Sequence, residues 1–295
     1  MSLPLVSICI PTYNGARFIK QAMDSAIAQT YSNLEIVVSD DDSRDNTLEI
    51  IESYKNKTNI PIYIMGHQPN GIGSNWNNCI KHAKGVYIKF LFQDDVLMPE
   101  CVSQMVLVIE KEKRVDIVAC KREFIIDSSF ENIQSKKWID HMADLQKTLN
   151  LEYNENIAYL DKTLFCSDQF FETPLNKVGE PSTILFKKEL VNRIGYFSEE
   201  LNQVLDYEFC YRVLKTRRIA IMQKTLVKFR LHGLQATVKN KDNEIFGADF
   251  KKLERIYVSN YIRLLDPYMR KVLLRRNNRW VSSFYNTIDN IKSWL

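Results

Sequence analysis

The stretch Leu5-Val-Ser-Ile-Cys-Ile-Pro-Thr-Tyr-Asn-Gly15 opens on a short, β-branched apolar run and closes on a polar turn. Such a run, bounded by turn residues, reads as a buried strand. Behind it Phe18, Ile19, Ala22, Met23, Ala26 and Ile27 share one helical face, which predicts a helix from about Ala16 to Gln29. Leu34 to Ser39 is a second strand, and Asn46 with Glu49 has capping-box spacing for a helix beyond it. Ile60 to Met65, a helix from about Ser74 to Ala83, and Val86 to Phe92 continue the series. Pro99 suits the first turn of a further helix, and Val115 to Ile126 reads as a strand. This alternation predicts the α/β class, with a Rossmann-like, mixed but mostly parallel sheet flanked by helices.

The pattern breaks over residues 127–178, where aromatic, Lys, Asp and Asn residues follow no steady period, and an inserted helical or loop segment is expected. Ser182 to Phe186 resumes a strand. A helix after Asp206, running to about Lys215, and two short strands, Arg218 to Met222 and Thr225 to Leu231, come next. From about Asn243 the chain reads as helical, interrupted near Asp266-Pro267.

With 295 residues the chain makes one large domain or two small ones. Hydrophobic residues at 45% and charged residues at 26% exclude a disordered or collagen-like chain. No run approaches the ~18 apolar residues of a membrane-spanning helix, and Leu5 to Ile10 is too short for a signal sequence, so a cytoplasmic protein is expected. Cys9, Cys79, Cys101, Cys120, Cys166 and Cys210 are scattered without a CxxC pair, as expected of reduced core thiols. The net charge of +4 gives no reason to expect nucleic acid. Its distribution is uneven, because residues 251–295 carry ten Lys or Arg against three Asp or Glu.

In an open parallel sheet, ligands bind beyond the carboxyl ends of the strands. There this chain places Pro11-Thr-Tyr-Asn-Gly15, Asp40-Asp-Asp-Ser43 and Gln93-Asp-Asp95. Crowding carboxylates on one rim is costly unless a cation or a hydrogen-bonding ligand neutralises them. Mg²⁺ or Mn²⁺ carrying a phosphate would serve, since such ions take one or two protein carboxylates and complete their shell with phosphate and water. The plainer alternative is turn and helix-cap chemistry at both acidic clusters. The loop Asn70-Gly-Ile-Gly-Ser-Asn-Trp-Asn77 half matches a dinucleotide GxGxxG fingerprint, but Trp76 stands where the third glycine must permit close helix packing.

Val6-Ser-Ile-Cys-Ile-Pro-Thr-Tyr-Asn-Gly15, Gln29-Thr-Tyr31, Glu35-Ile-Val-Val-Ser-Asp-Asp41, Asp45-Asn-Thr47 and Tyr87-Ile-Lys-Phe-Leu-Phe-Gln-Asp-Asp95 together resemble the family 2 glycosyltransferases of GT-A fold, in order over about residues 4–235. The resemblance implies a nucleotide-sugar donor, usually a UDP-sugar, a bound Mg²⁺ or Mn²⁺, and hexosyl or hexosaminyl transfer with inversion at the anomeric carbon. It assigns Pro11, Thr12, Tyr13, Asn14 and Gln93 to the nucleotide-sugar site, with the Tyr13 ring against the base. Asp41 would accept the N3 hydrogen of the pyrimidine, Asp40 would be a structural neighbour, and Asn75 and Asn77 would meet the nucleotide. Asp94 aligns with the last Asp of the family's Asp-x-Asp motif and is the expected metal ligand, while Phe92 replaces its first Asp. Many relatives carry Arg where Trp76 stands.

Val204-Leu-Asp-Tyr-Glu208 resembles the segment that carries the catalytic base, with Leu205 in place of a common Glu. Asp206 is the expected base, with a helix cap as its bland alternative and Glu208 as a lesser candidate. Phe229-Arg-Leu-His-Gly233 resembles the loop whose His approaches the diphosphate or the metal, so His232 is a second expected ligand or a structural histidine. Gly179-Glu-Pro-Ser-Thr183 resembles the acceptor-side turn, which makes Glu180, Pro181 and Ser182 expected acceptor contacts.

The expected organisation is a catalytic domain over 1–240, with a nucleotide-sugar half to about 125 and an acceptor half over 126–240, then a basic amphipathic helical extension over 241–295. Trp280, Phe284, Ile288, Ile291 and Leu295 recur at helical spacing behind Arg270, Lys271, Arg275, Arg276 and Arg279. That tail could lie on an anionic bilayer, peripherally, or pack as a helical pair on the catalytic domain. The expected acceptor is a glycan or lipid-linked oligosaccharide, as in polysaccharide and cell-envelope synthesis. The competing readings are a sugar-1-phosphate nucleotidyltransferase, for which no Gly-rich basic loop exists near Met1, and a degenerate binder without turnover, which Phe92, Leu205 and Trp76 keep open.

Overall fold

The computed structural model describes residues 2–130, 133–233, 235, 245–278 and 282. In chain order the elements are β1 (Val6–Thr12), α1 (Ile19–Ile27), β2 (Leu34–Asp40), α2 (Thr47–Ser53), β3 (Ile62–Gly66), α3 (Ile72–His82), β4 (Tyr87–Phe90), β5 (Val96–Leu97), α4 (Cys101–Lys111), β6 (Val115–Ile126), α5 (Ile133–Met142), β7 (Ile157–Leu160), β8 (Ile184–Lys187), α6 (Leu190–Ile194), α7 (Leu205–Leu214), β9 (Arg218–Leu231), α8 (Ile245–Asn260) and α9 (Pro267–Asn277). The strands form one sheet in the order β3-β2-β1-β4-β8-β6-β9-β5, with β7 paired to β9 off that path. Strands β1, β2, β3, β4, β6 and β9 run the same way; β5, β7 and β8 oppose them. The mixed, mostly parallel α/β sheet expected from the sequence is therefore present.

Period-two alternation divides the core between the two faces of this sheet. Ile8 and Ile10 of β1 and Ile36 and Val38 of β2 pack with Ile19, Met23 and Ala26 of α1, Ile51 of α2, and Val102, Met105 and Ile109 of α4. Cys9 and Val37 point the other way, into a cluster with Cys79 and Ile80 of α3 and Phe209 and Val213 of α7. Leu253 and Tyr257 of α8 and Leu273 of α9 belong to that same cluster, so the described part of the C-terminal extension packs on the body built around the sheet. Trp280, Phe284, Ile288, Ile291 and Leu295 lie outside the described residues. Among those described, no helix is long and apolar enough to cross a membrane. Five of the cysteines are buried, Cys166 is exposed, and all six are free thiols.

Several local expectations are corrected. The two short strands after α7 are one, because β9 runs unbroken beside β6 and absorbs the polar Gln223-Lys224 as register shifts in that pairing. The aperiodic segment contains α5 and β7, and β5 is a two-residue pairing with β9. Asn46 makes no side-chain cap bond; Asp45 Oδ1 instead accepts from the Thr47 amide at 3.1 Å. Pro99 precedes α4 rather than opening it, with Glu100 as the flanking residue.

Candidate active site

The register that pairs Thr12 with Asp40, and Asp40 with Gly66, brings the carboxyl ends of β1, β2 and β3 level. Strand β4 ends beside them, and antiparallel β8 begins there, which carries the turn Glu180–Thr183 to the same rim. The loop after β1 is held to the loop after β4 by a reciprocal pair of bonds. The Tyr13 amide donates to Gln93 Oε1 at 2.9 Å, and Gln93 Nε2 donates to the Tyr13 carbonyl at 3.1 Å. Gly15 has no room for a Cβ, which would meet Gln93 Oε1 at 2.3 Å. Asn14 takes a positive φ of 46° and is fixed on both sides, its amide donating to Ser43 Oγ at 2.8 Å and its Oδ1 accepting from the Arg44 amide at 2.8 Å. The Tyr13 ring stands 55% exposed above this base, open for stacking. Pro11 and Thr12, by contrast, are buried as the last residues of β1.

Asp40 is buried and accepts from Thr12 Oγ1 at 2.7 Å and from the Ser43 amide at 2.8 Å. Asp41 is the outward neighbour. Its amide donates to the Thr12 carbonyl at 2.9 Å, and its Oδ1 is in contact with Nδ1 of His67, which follows β3. Burial pushes the Asp41 carboxyl above the usual range, while the imidazole works in the opposite direction. His67 Nε2 lies 3.1 Å from Ser74 Oγ in the first turn of α3. Asn75 reaches the Thr12 carbonyl through Nδ2 at 3.3 Å, and its Oδ1 is buried without a partner. His67 was missed in the sequence, although a histidine directly after Gly66 at a strand end is a readable signal.

Asp94 and His232 meet, His232 Nε2 lying 2.9 Å from Asp94 Oδ2. The length of β9 makes this contact, since Arg230 near its end donates its amide to Asp95 Oδ1 at 3.0 Å and Nε to the Asp94 carbonyl at 2.8 Å. Asp95 is 1% exposed, and burial raises its carboxyl well above the usual range, which marks it as a structural group beneath Asp94. Among the described residues no group of three or more His, Cys, Asp or Glu is placed to hold a metal ion. The Asp94 carboxylate and the His232 imidazole, bonded to each other here, are the two groups that could hold an ion drawing its remaining ligands from a diphosphate.

Asp206 lies in the first turn of α7, after the flanking Val204. Its Oδ2 accepts from Asn176 Nδ2 at 3.0 Å, and its Oδ1 is buried without a partner. Burial, helped by the nearby Glu180 charge, pushes its carboxyl up to about 7. Asn176 is oriented without ambiguity, because its Oδ1 accepts from the amides of Val178 at 3.0 Å and Gly179 at 2.9 Å, leaving Nδ2 for Asp206. Glu208 is paired with Arg212 at 3.1 Å on the same helix and does not join Asp206.

Three sequence assignments sit differently in the structure. Asn77 is 1% exposed and spends its amide on Phe197, accepting from its N–H at 3.0 Å and donating to its carbonyl at 2.9 Å, so it is a core brace away from the rim. Pro181 and Ser182 are buried; Ser182 Oγ accepts from the Phe92 amide at 3.0 Å, and its carbonyl receives the buried Lys89 ammonium. Of that turn, only the half-buried Glu180 is left to face a ligand, and it pairs with Arg122 at 2.8 Å. Trp76 packs tilted against Phe92 and edge-on against Phe197, with ring centroids 5.0 and 5.2 Å away, and Leu205 lies in the same cluster. Trp76, Phe92 and Leu205 are thus engaged in apolar packing.

The family model for Glycosyl transferase family 2 matches residues 7–176, which contain the β1, β2, β3 and β4 strand ends and Asn176. The chain belongs to that family. An uncharacterized glycosyltransferase of Rickettsia prowazekii is 32% identical over 234 residues, covering 79% of this chain and 66% of that protein. The chondroitin synthase of Pasteurella multocida is 28% identical over 263 residues, 88% of this chain but 24% of the synthase. Among solved structures, residues 1–349 of Staphylococcus aureus TarS, in complex with UDP-GlcNAc, superpose with a TM-score of 0.63 at 21% identity, over 92% of this chain and 70% of that one. That likeness bears on the fold, and it is the GT-A fold expected above. The chain spans just under two thirds of the Rickettsia relative and about a quarter of the synthase.

Proposed function

We propose that the chain transfers a hexosyl or hexosaminyl group from a nucleotide-sugar, a UDP-sugar first among candidates, to a glycan or lipid-linked oligosaccharide acceptor by an inverting single displacement. The observation that carries this reading is Asp206 in the first turn of α7, a half-buried carboxylate whose Oδ2 accepts from Asn176, whose Oδ1 has no partner, and whose pKa is pushed up to about 7. Family membership and the likeness to a chondroitin synthase support the class of reaction and of acceptor. Donor contacts fall to residues 1–125 and acceptor contacts to Glu180 and the rest of 126–240, while the described residues 245–278 of the extension brace the body and its basic face could meet a membrane surface.

In the displacement, Asp206 takes the proton of the acceptor hydroxyl as its oxygen bonds to the anomeric carbon, and the bond from that carbon to the diphosphate oxygen breaks. A pKa near 7 lets the same group be ionised before the step and protonated after it. Tyr13 and Asn75 hold the nucleoside above the buried Thr12 while Asp41 accepts the pyrimidine N3–H, so that binding energy orients the anomeric carbon towards Asp206. Asp94 and His232 would hold Mg²⁺ or Mn²⁺, whose charge offsets that of the diphosphate.

Thermal unfolding with UDP, TDP, GDP or NAD, each with Mn²⁺ or EDTA, tests the donor site, since binding to the native state raises Tm. A UDP shift that needs Mn²⁺ and disappears in Asp94→Ala is expected. No shift with UDP or TDP, or one indifferent to Asp94, would sink the reading. Slow Mn²⁺-dependent hydrolysis of the donor separates a working enzyme from a binder without turnover.

A further inference from the structure

The contact between His67 and Asp41 does more than fill space, because both imidazole nitrogens are committed. Nδ1 touches Asp41 Oδ1 and Nε2 lies 3.1 Å from Ser74 Oγ, so the ring is anchored from β3, β2 and α3 at once. An ionised carboxylate can only accept, which assigns the shared hydrogen to Nδ1 and leaves Nε2 to accept from the Ser74 hydroxyl. The other groups facing the pair are the Asp40 carboxylate, already engaged by Thr12 and Ser43, and the Asn75 amide. His67 therefore claims one oxygen of the carboxylate that meets the base.

We infer that His67 is a positioning residue that sets nucleobase selection: by holding Asp41 Oδ1 it leaves the carboxylate suited to one N–H donor rather than two. The inference rests on the reading of Asp41 as the acceptor for the base. Uracil and thymine present a single N3–H between two carbonyls, which asks for one carboxylate oxygen. Guanine presents N1–H and an amino group side by side, a two-donor edge that spans both oxygens of a carboxylate and must compete with the imidazole for Oδ1. Cytosine offers a lone pair at N3 and is rejected by the carboxylate itself. His67 thus adds a barrier against guanine to the barrier against cytosine that Asp41 alone provides.

Calorimetric titration of the wild type, His67→Phe and His67→Asn with UDP, N3-methyl-UDP, GDP and CDP tests this. The wild type is expected to bind UDP at least tenfold more tightly than the other three. His67→Phe keeps a planar ring and removes both nitrogens; its UDP affinity should fall about tenfold and its preference for UDP over GDP should narrow by a similar factor. His67→Asn restores an N–H at the Nδ1 position and should recover the wild-type preference. Ser74→Ala, which frees Nε2 without touching Asp41, should narrow the preference part way and serves if His67→Phe does not fold. A UDP-to-GDP ratio unchanged in His67→Phe, or in Ser74→Ala where that stands in, would overturn the role of His67 alone. Wild-type protein that does not bind UDP, or binds N3-methyl-UDP equally well, would remove the underlying donor-site reading instead.

Discussion

Asp206 sits in a native site that favours its protonated form, so its ionisation works against the fold. Its carboxyl titrates near 7 in the folded chain and near 4 in an unfolded one, so the stability tied to its proton is full below about 4 and is lost as pH rises through 7. Asp206→Asn should therefore raise Tm at pH 8, by about 2–4 °C for each kcal/mol recovered, while lowering transfer by roughly 10²–10⁴-fold with donor affinity kept. Scanning calorimetry and steady-state rates would show the two effects with opposite signs. Transfer by the wild type should climb with pH through about 7 and level off. Asn176→Ala removes a bond that favours the ionised base and should move that rise to higher pH, which a rate profile from pH 5.5 to 9 would reveal. Asp41, Asp94, Asp206 and His232 could be put forward from the sequence because each sits at a strand or helix end inside a recognisable run. Asn176 was not, since its meaning depends on two backbone amides and a helix about thirty residues away that only folding brings to it.

Elements with strong periodicity were read correctly, and those that exist through their partners were not. Strands β1, β2 and β6 carry β-branched runs that are strands in any context, whereas β5 has two residues and is defined by its pairing with β9. The Gln223-Lys224 pair looked like a turn because polar residues usually end a buried strand; here both residues are exposed and the strand carries on past them. Helix α8 was legible from its own pattern, but its docking adds to the apolar contacts of Leu253 and Tyr257 a buried acid that the pattern does not reveal. Asp249 is fully buried and its Oδ2 accepts from the amides of Asn202 and Gln203, each at 2.7 Å. Asp249→Ala would strand two half-buried donors at the entrance to α7 and should cost about 1–3 kcal/mol by urea unfolding. Because that loop leads directly to Asp206, the variant should also lose transfer more than it loses UDP affinity.

The whole molecule is drawn together at Asp116, near the start of β6. This carboxylate is 0% exposed and meets Lys187 of β8 at 3.1 Å, Arg193 of α6 at 2.8 Å and Arg217 ahead of β9 at 2.7 Å. Burial alone would raise its pKa, but the three cations outweigh it and hold the carboxyl down at about 2. Its contribution to stability is complete above about 4 and fades as pH falls towards 2, so acid unfolding should begin in that window. Asp116→Asn leaves the cations without their counter-charge and should cost about 3 kcal/mol at pH 7, lowering Tm and flattening the acid limb of the stability curve. The free thiols have a practical consequence for following such changes. Only Cys166 is exposed, with its Sγ 3.0 Å from the Leu264 carbonyl in the connection between α8 and α9. A maleimide dye should therefore modify the folded chain at one position without mutagenesis, giving an optical probe of whether the C-terminal helices stay seated when a nucleotide-sugar is added.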